Sequence, residues 1–238
     1  GDGDEDLALA GRTATGLVTG VYRNEGGQLV DISAGLPGLE QGSIEWIDLD
    51  GDADLDLTVS GALESGRLVT QIYRNDAGQF TRIEAELPGV LYGTATWSDY
   101  DGDGDPDLLI AGGLYGPELI EGFTQLYRND AGALTPVDAG LTPIANGNAE
   151  WGDYDGDGDP DLLLAGPANV VDARTYRIRV FKNEAGTFRQ VFEESGLALG
   201  EATWWDYTGN GTLDILSVGQ DNNGRPRTDL YRVIPRQF

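Results

Sequence analysis

Asp99, Asp101, Asp103, Asp105 and Asp107 alternate through nine residues of the stretch WSDYDGDGDPDLLIAG, which then runs directly into an apolar segment. Carboxylates this close repel one another by about 1 kcal/mol per pair in water, and by more where solvent is partly excluded. A hard cation taking six to eight oxygens removes that repulsion, and calcium tolerates irregular oxygen geometry better than magnesium. In this reading Asp99, Asp101, Asp103 and Asp107 offer side chains and Asp105 its backbone carbonyl, while Gly104 permits the sharp turn between them. An EF-hand would require a bidentate Glu at the twelfth loop position. That position is Ile110 here and Leu164 in a second copy, so Asp107 and Asp161 must close their loops instead.

The pattern recurs. WIDLDGDA starts at Trp46, WSDYDGDG at Trp97, WGDYDGDG at Trp151 and WWDYTGNG at Trp204, with leading aspartates Asp48, Asp99, Asp153 and Asp206 spaced 51, 54 and 53 residues apart. The candidate ligands are Asp48, Asp50, Asp52, Asp54 and Asp56 in one loop, Asp99 to Asp107 in the next, and Asp153, Asp155, Asp157, Asp159 and Asp161 in a third. Ala53 stands where the other loops have the turn glycine, a position of expected strain. A fourth set, Asp206, Thr208, Asn210, Thr212 and Asp214, keeps oxygen ligands with fewer charges, which lowers the expected affinity. Asp2 and Asp6 are what remains of a loop at the start of the chain. The alternative for all of them is a solvated acidic turn without an ion.

A second motif keeps step with the first: VYRNEGGQLVDI, IYRNDAGQFTRI, LYRNDAGALTPV and VFKNEAGTFRQV. Each is an alternating run, a turn built on Asn and Gly, and another alternating run, the signature of a β-hairpin. Each repeat therefore reads as four strands, A to D, with the acidic loop joining A to B. No segment carries a sustained helical period. Four short strands every 53 residues or so describe a β-propeller blade. The expected fold is all-β, with three complete and two partial blades and the whole of 1–238 forming one propeller domain or part of one. The repeat loops fall near 1–6, 48–56, 99–107, 153–161 and 206–214.

The two motifs in phase resemble the FG-GAP/VCBS repeat, which builds calcium-bearing propellers in integrin α-subunits and in many bacterial surface and secreted proteins. The resemblance covers essentially the whole chain. It implies several structural calcium ions, an extracellular or cell-surface location, and a role in adhesion to or recognition of protein or glycan. A lectin-like propeller, or a part of a polysaccharide-degrading enzyme, is the alternative.

Bulk properties narrow the field. The formal charge is −26 over 238 residues, with 41 acidic and 15 basic side chains, which argues against nucleic acid and anionic membranes as partners. There is no Cys, His or Met, which removes thiol nucleophiles, Cys-ligated zinc and imidazole bases, and no carboxylate pair stands out from the candidate calcium ligands, so no catalysis is expected. No apolar stretch approaches membrane-spanning length, so direct insertion is not expected, and the absent initiator Met suggests a trimmed or partial chain. The Trp residues before each loop read as packing between blades. The segments opposite the acidic loops vary between repeats, and loops on rigid scaffolds often bind ligands. Tyr92, Tyr115, Asn169, Arg174, Asn223 and Arg225 are the candidates there. Open blade edges would favour self-association.

Overall fold

The computed structural model describes residues 3–115, 120–168, 176–221 and 223–233. The described residues are all strand, turn and loop, arranged as β-propeller blades, one antiparallel sheet per repeat. Two compact units divide the chain, Gly1–Ala95 and Thr96–Phe238.

In the first unit, β1 (Leu7–Thr13), β2 (Gly16–Glu25) and β3 (Gln28–Asp31) form a three-stranded sheet. The second sheet has β6 (Asp56–Leu63), β7 (Leu68–Asp76) and β8 (Gln79–Ile83) in order, and its strand A is split into β4 (Leu39–Glu40) and β5 (Ile44–Ile47), both paired to β6. The split has a local cause. Gln41 is left-handed at φ 59°, and a Cβ on the following Gly42 would lie 1.8 Å from the Ser60 carbonyl oxygen. A bulge with so close a backbone approach admits only glycine. Val21, Leu39, Leu57, Val59, Val69 and Tyr73 form the core of this unit.

β9 (Leu91–Ser98), whose first five residues precede the unit boundary, makes one four-stranded sheet with β10 (Asp107–Tyr115), β11 (Ile120–Asp130) and β12 (Ala133–Val137) of the second unit. The next comprises β13 (Asn148–Gly152), β14 (Asp161–Gly166), β15 (Arg177–Glu184) and β16 (Thr187–Ser195). The last holds β17 (Ala198–Trp205), β18 (Asp214–Gln220) and β19 (Pro226–Tyr231). Three complete blades flanked by two three-stranded ones match the sequence reading. Strand B of each complete blade is buried on both faces: all residues of β14, and all but the last two of β10. That explains why these strands read as unbroken apolar runs rather than as alternation. Tyr154 stacks on Trp204 at 6.1 Å and 5° between successive sheets, and Trp151 meets Phe188 at 6.0 Å.

The C–D turns differ from expectation in one detail. The left-handed residues are not the asparagines but the pairs Ala77–Gly78, Ala131–Gly132 and Ala185–Gly186, consistent with the two successive positive φ values of a tight hairpin turn. The asparagine side chain is engaged elsewhere.

Candidate metal centre

Three sets of carboxylates converge among the described residues: Asp48, Asp50 and Asp56; Asp99, Asp101 and Asp107; Asp153, Asp155 and Asp161. In each set the ligand oxygens lie within 4.8 Å of one another. These are the first, third and ninth positions of the loops. The fold gives the first and ninth carboxylates a structural duty as well. Asp99 Oδ1 accepts from the amides of Gly102 (2.8 Å) and Asp103 (3.1 Å), and Oδ2 from Gly104 (3.0 Å). Asp153 repeats this with Gly156, Asp157 and Gly158 at 2.7, 3.2 and 3.0 Å. The first carboxylate thus winds the loop around itself, and Gly104 and Gly158 take the left-handed turn this demands, at φ 98° and 95°. Ala53 adopts the same conformation at φ 72°.

The ninth carboxylate joins the loop to the hairpin. Asp107, fully buried, accepts from Tyr100 N at 3.1 Å through Oδ2 and from Asn129 N at 2.8 Å through Oδ1. Asp161 does the same with Tyr154 and Asn183, and Asp56 with Leu49 and Asn75. Burial pushes the Asp107 carboxyl up to about 6 and Asp161 to about 7, against the pull of the two amide hydrogen bonds and with a further push from neighbouring aspartates. Asp56 is raised for the same reason. An uncompensated buried anion is costly, and these three sites each hold one beside other carboxylates.

The third carboxylate is different. Asp101 Oδ1 and Asp155 Oδ1 are buried and have no hydrogen-bond partner among the described residues. Burial raises the Asp101 carboxyl above its usual range. Buried acceptors are nearly always satisfied, and each exception needs an explanation. A cation bound between positions one, three and nine supplies one, and the all-oxygen donor set suits a hard divalent ion.

The other candidates are not members of these sets. Asp52, Asp103 and Asp157, at the fifth position, are exposed and accept the amides of Asp54, Asp105 and Asp159. The seventh-position side chains reach away to the hairpin: Asp54, Asp105 and Asp159 each accept, at 2.9 Å, from Ala77, Ala131 and Ala185 respectively. The sequence reading gives this position a backbone carbonyl at the ion and no role for its side chain, and so does not foresee the strut. The asparagine of the second motif completes it. Asn129 donates to Pro106 O at 2.9 Å and accepts from Gly132 N at 2.7 Å, and Asn75 and Asn183 repeat both bonds. The acidic loop and the hairpin are therefore one hydrogen-bonded body, which explains why their motifs recur in phase.

The last loop keeps the winding, with Asp206 accepting from Asn210 and Gly211, but Asn210 binds Thr212 and Asp214 lies 3.8 Å from Arg232 Nε. Thr208 is exposed, and among the described residues neither Asp206 nor Asp214 belongs to a three-carboxylate set. Asp6 accepts from Asn24 N as the other ninth-position residues do; Asp2 lies outside the described residues. Tyr92 lies in β9 with a left-handed backbone (φ 51°) and donates its amide to Gln41 O. Tyr115 is 62% exposed at the end of β10 farthest from Asp107. Asn223 and Arg225 both donate backbone amides to Asp221. Asn169 and Arg174 lie outside the described residues.

Two overlapping stretches, 99–164 and 153–217, match the FG-GAP-like repeat, together half of the chain. The chain belongs to the FG-GAP-like repeat family. No curated protein matches it. Among solved structures, one similar to this FG-GAP chain is a thermostable family-43 glycoside hydrolase, 14% identical, with a TM-score of 0.45 over 89% of this chain and 80% of that one. Another is the V. cholerae biofilm matrix protein Bap1, 19% identical, with a TM-score of 0.41 over 83% of this chain and 37% of that one. The first of these corrects the expectation that this chain is no enzyme. That expectation rested on the missing imidazole and thiol and on the lack of a carboxylate pair distinct from the loop aspartates, whereas glycoside hydrolysis needs only two carboxylates brought together by the fold. The likeness withdraws the exclusion and assigns no activity. No described helix is long and apolar enough to cross a membrane.

Proposed function

We propose that this chain is a calcium-stabilised propeller module that works outside the cell, recognising or adhering to a protein or glycan. The observation that carries the metal reading is the pair of buried, unpartnered oxygens, Asp101 Oδ1 and Asp155 Oδ1, each within a three-carboxylate set. Asp99, Asp101 and Asp107 would hold one ion, Asp153, Asp155 and Asp161 a second, and Asp48, Asp50 and Asp56 a third. The Asp206 loop, with two carboxylates, is the weakest candidate. The bound ion supplies positive charge that offsets the buried aspartates. The protein supplies a loop already wound by backbone amides, so little ordering cost remains on binding.

The recognition surface belongs at the opposite strand ends. Asp107 and Tyr115 are the two ends of β10, about 27 Å apart at 3.3–3.4 Å per residue. Tyr115, Asn223 and Arg225 present an exposed ring, amide and guanidinium there, a combination suited to glycans and polar protein surfaces. The test is thermal unfolding of calcium-free protein with calcium or magnesium added back, followed by glycan and protein screens of the calcium-loaded form. Each occupied site adds about 2.7 kcal/mol at a hundredfold excess over its dissociation constant. A melt indifferent to calcium defeats the metal reading. Screens that find no partner for the loaded form defeat the recognition reading.

A further inference from the structure

Residues 99–107 and 153–161 carry the same nine-residue sequence, DYDGDGDPD. Their surroundings differ in one cation. In the first three repeats the residue before the hairpin asparagine is Arg23, Arg74 or Arg128, and each pairs with the acid two residues on, Glu25, Asp76 or Asp130, at 2.6–2.8 Å. These arginines are about half exposed; Arg128 acts on Asp101 through charge, but its ion pair is with Asp130 and not with a loop carboxylate. The fourth repeat has Lys182, the only lysine of the chain. Its ammonium leaves that arrangement and binds Asp155 Oδ2 inside the loop, with Asp157 Oδ2 at 2.9 Å. The Lys182 side chain is 17% exposed and that of Asp155 8%.

The neighbouring strand explains the change. Arg128 faces Thr135 across the hairpin, whereas Lys182 faces Arg189. Arg189 lies 3.7 Å from Glu184, the acid that would otherwise hold the strand-C cation. Like charges directly opposite on paired strands repel. With Glu184 engaged by Arg189, the Lys182 head group is driven onto the acidic loop.

We propose that Lys182 is a tethered competitor for the divalent cation at the 153–161 loop. That loop then binds calcium more weakly than 99–107 despite an identical sequence. Calcium filling it must displace the ammonium from Asp155, because two cations cannot share so closely packed a carboxylate without strong repulsion. Asp155 Oδ1 stays unpartnered even with the lysine in place, so the ammonium leaves a point of entry. The two loops fill in order, and the second releases its lysine to solvent as it fills. This inference rests on the calcium reading above.

The chain's single lysine makes the test direct. Intact protein is treated with an amine-acetylating reagent across a calcium titration, and acetylation at Lys182 is read by peptide mass spectrometry against the α-amino group as reference. Melting temperature is followed in the same samples. The expected result is slow acetylation without calcium and a rise of about two- to fivefold on loading, the fold-change one partly exposed ion pair supplies. Its midpoint should lie at higher calcium than the first rise in melting temperature. In calorimetric titration, Lys182→Gln should tighten one binding step by a similar factor, an effect absent when Asp155→Asn is added. Unchanged acetylation while calcium raises the melting temperature overturns the inference and leaves the calcium reading intact. So does a Lys182→Gln isotherm identical to that of the parent. If calcium neither binds nor stabilises, both fall together.

Discussion

Replacing the hairpin asparagines by alanine one at a time tests whether loop and hairpin are a single body, because the repeats grade the number of bonds each one makes. The Asn24 side chain accepts one bond, from Gly27 N. Asn75 adds a donated bond to Leu55 O at an exposed position, and Asn129 makes the equivalent bond to Pro106 O while 4% exposed. Asn183 is fully buried and adds a third, to Tyr100 O at 2.7 Å, tying the hairpin to the preceding acidic loop. A hydrogen bond is worth about 1 kcal/mol net, and stranding a buried partner costs about 1–3 kcal/mol. The expected losses are about 1 kcal/mol for Asn24→Ala, about 1–2 for Asn75→Ala, about 2–3 for Asn129→Ala and about 3–5 for Asn183→Ala. For a chain of this size each kcal/mol shifts the melting temperature by about 2–4 °C, so Asn183→Ala should melt roughly 6–20 °C below the parent. Melts followed by circular dichroism, with and without calcium, give the ranking. An Asn183→Ala protein no less stable than Asn24→Ala would falsify the coupling, since both lose the turn bond and only one loses the bonds to the loops.

Three further predictions rest on the same geometry. Ala53→Gly should stabilise by about 0.5 kcal/mol, the left-handed penalty of an L-residue less the entropy glycine loses on folding; a loss of stability in the melt contradicts the strain at φ 72°. Gly147→Ala should cost about 3 kcal/mol or more, because its Cβ would sit 1.8 Å from the Ala165 carbonyl oxygen, and denaturant unfolding against the parent checks it. For pH, Asp107 and Asp161 titrate near 6 and 7 in the fold against about 3.9 unfolded, so the native state holds the extra protons between those values. Stability of the calcium-free protein should therefore fall, by on the order of a few kcal/mol, as pH rises from about 4 to 7. Calcium affinity should run the other way, weakening below about pH 6 as the same oxygens take protons; a calcium-free stability curve flat across that window refutes the buried-anion account.

The fold was legible because its signals are local and repeated. Alternation, Asn–Gly turns and a fixed period need only neighbours in sequence to act, and strand B betrayed its double burial by an unbroken apolar run. The converging carboxylates at positions one, three and nine were legible too, since the spacing of Asp99, Asp101 and Asp107 follows from the turn at Gly104. What stayed hidden depended on partners distant in sequence. Nothing in DGDPD says that Asp105 will turn to the Ala131 amide, 26 residues on. Nor does FKN say that Lys182 will fold back onto Asp155, which requires knowing that Arg189 faces it. Tyr92 is exposed as the sequence suggested, but its left-handed backbone could not be read from its neighbours.

The division of labour among the aspartates bears on what an ion can add. Asp99 and Asp107 spend their oxygens on backbone amides, so the loop keeps its shape through groups that belong to the chain itself. Among the three converging carboxylates only Asp101 leaves a buried oxygen uncommitted. An ion arriving there meets a wound loop and a hairpin already bonded to it, and its main effect is to cancel charge. Calcium should then raise the stability of an already folded blade, in contrast to small metal domains whose binding energy is their folding energy. The 153–161 loop follows the same logic with a different cation: Lys182 supplies from within part of the charge that the 99–107 loop must take from solution.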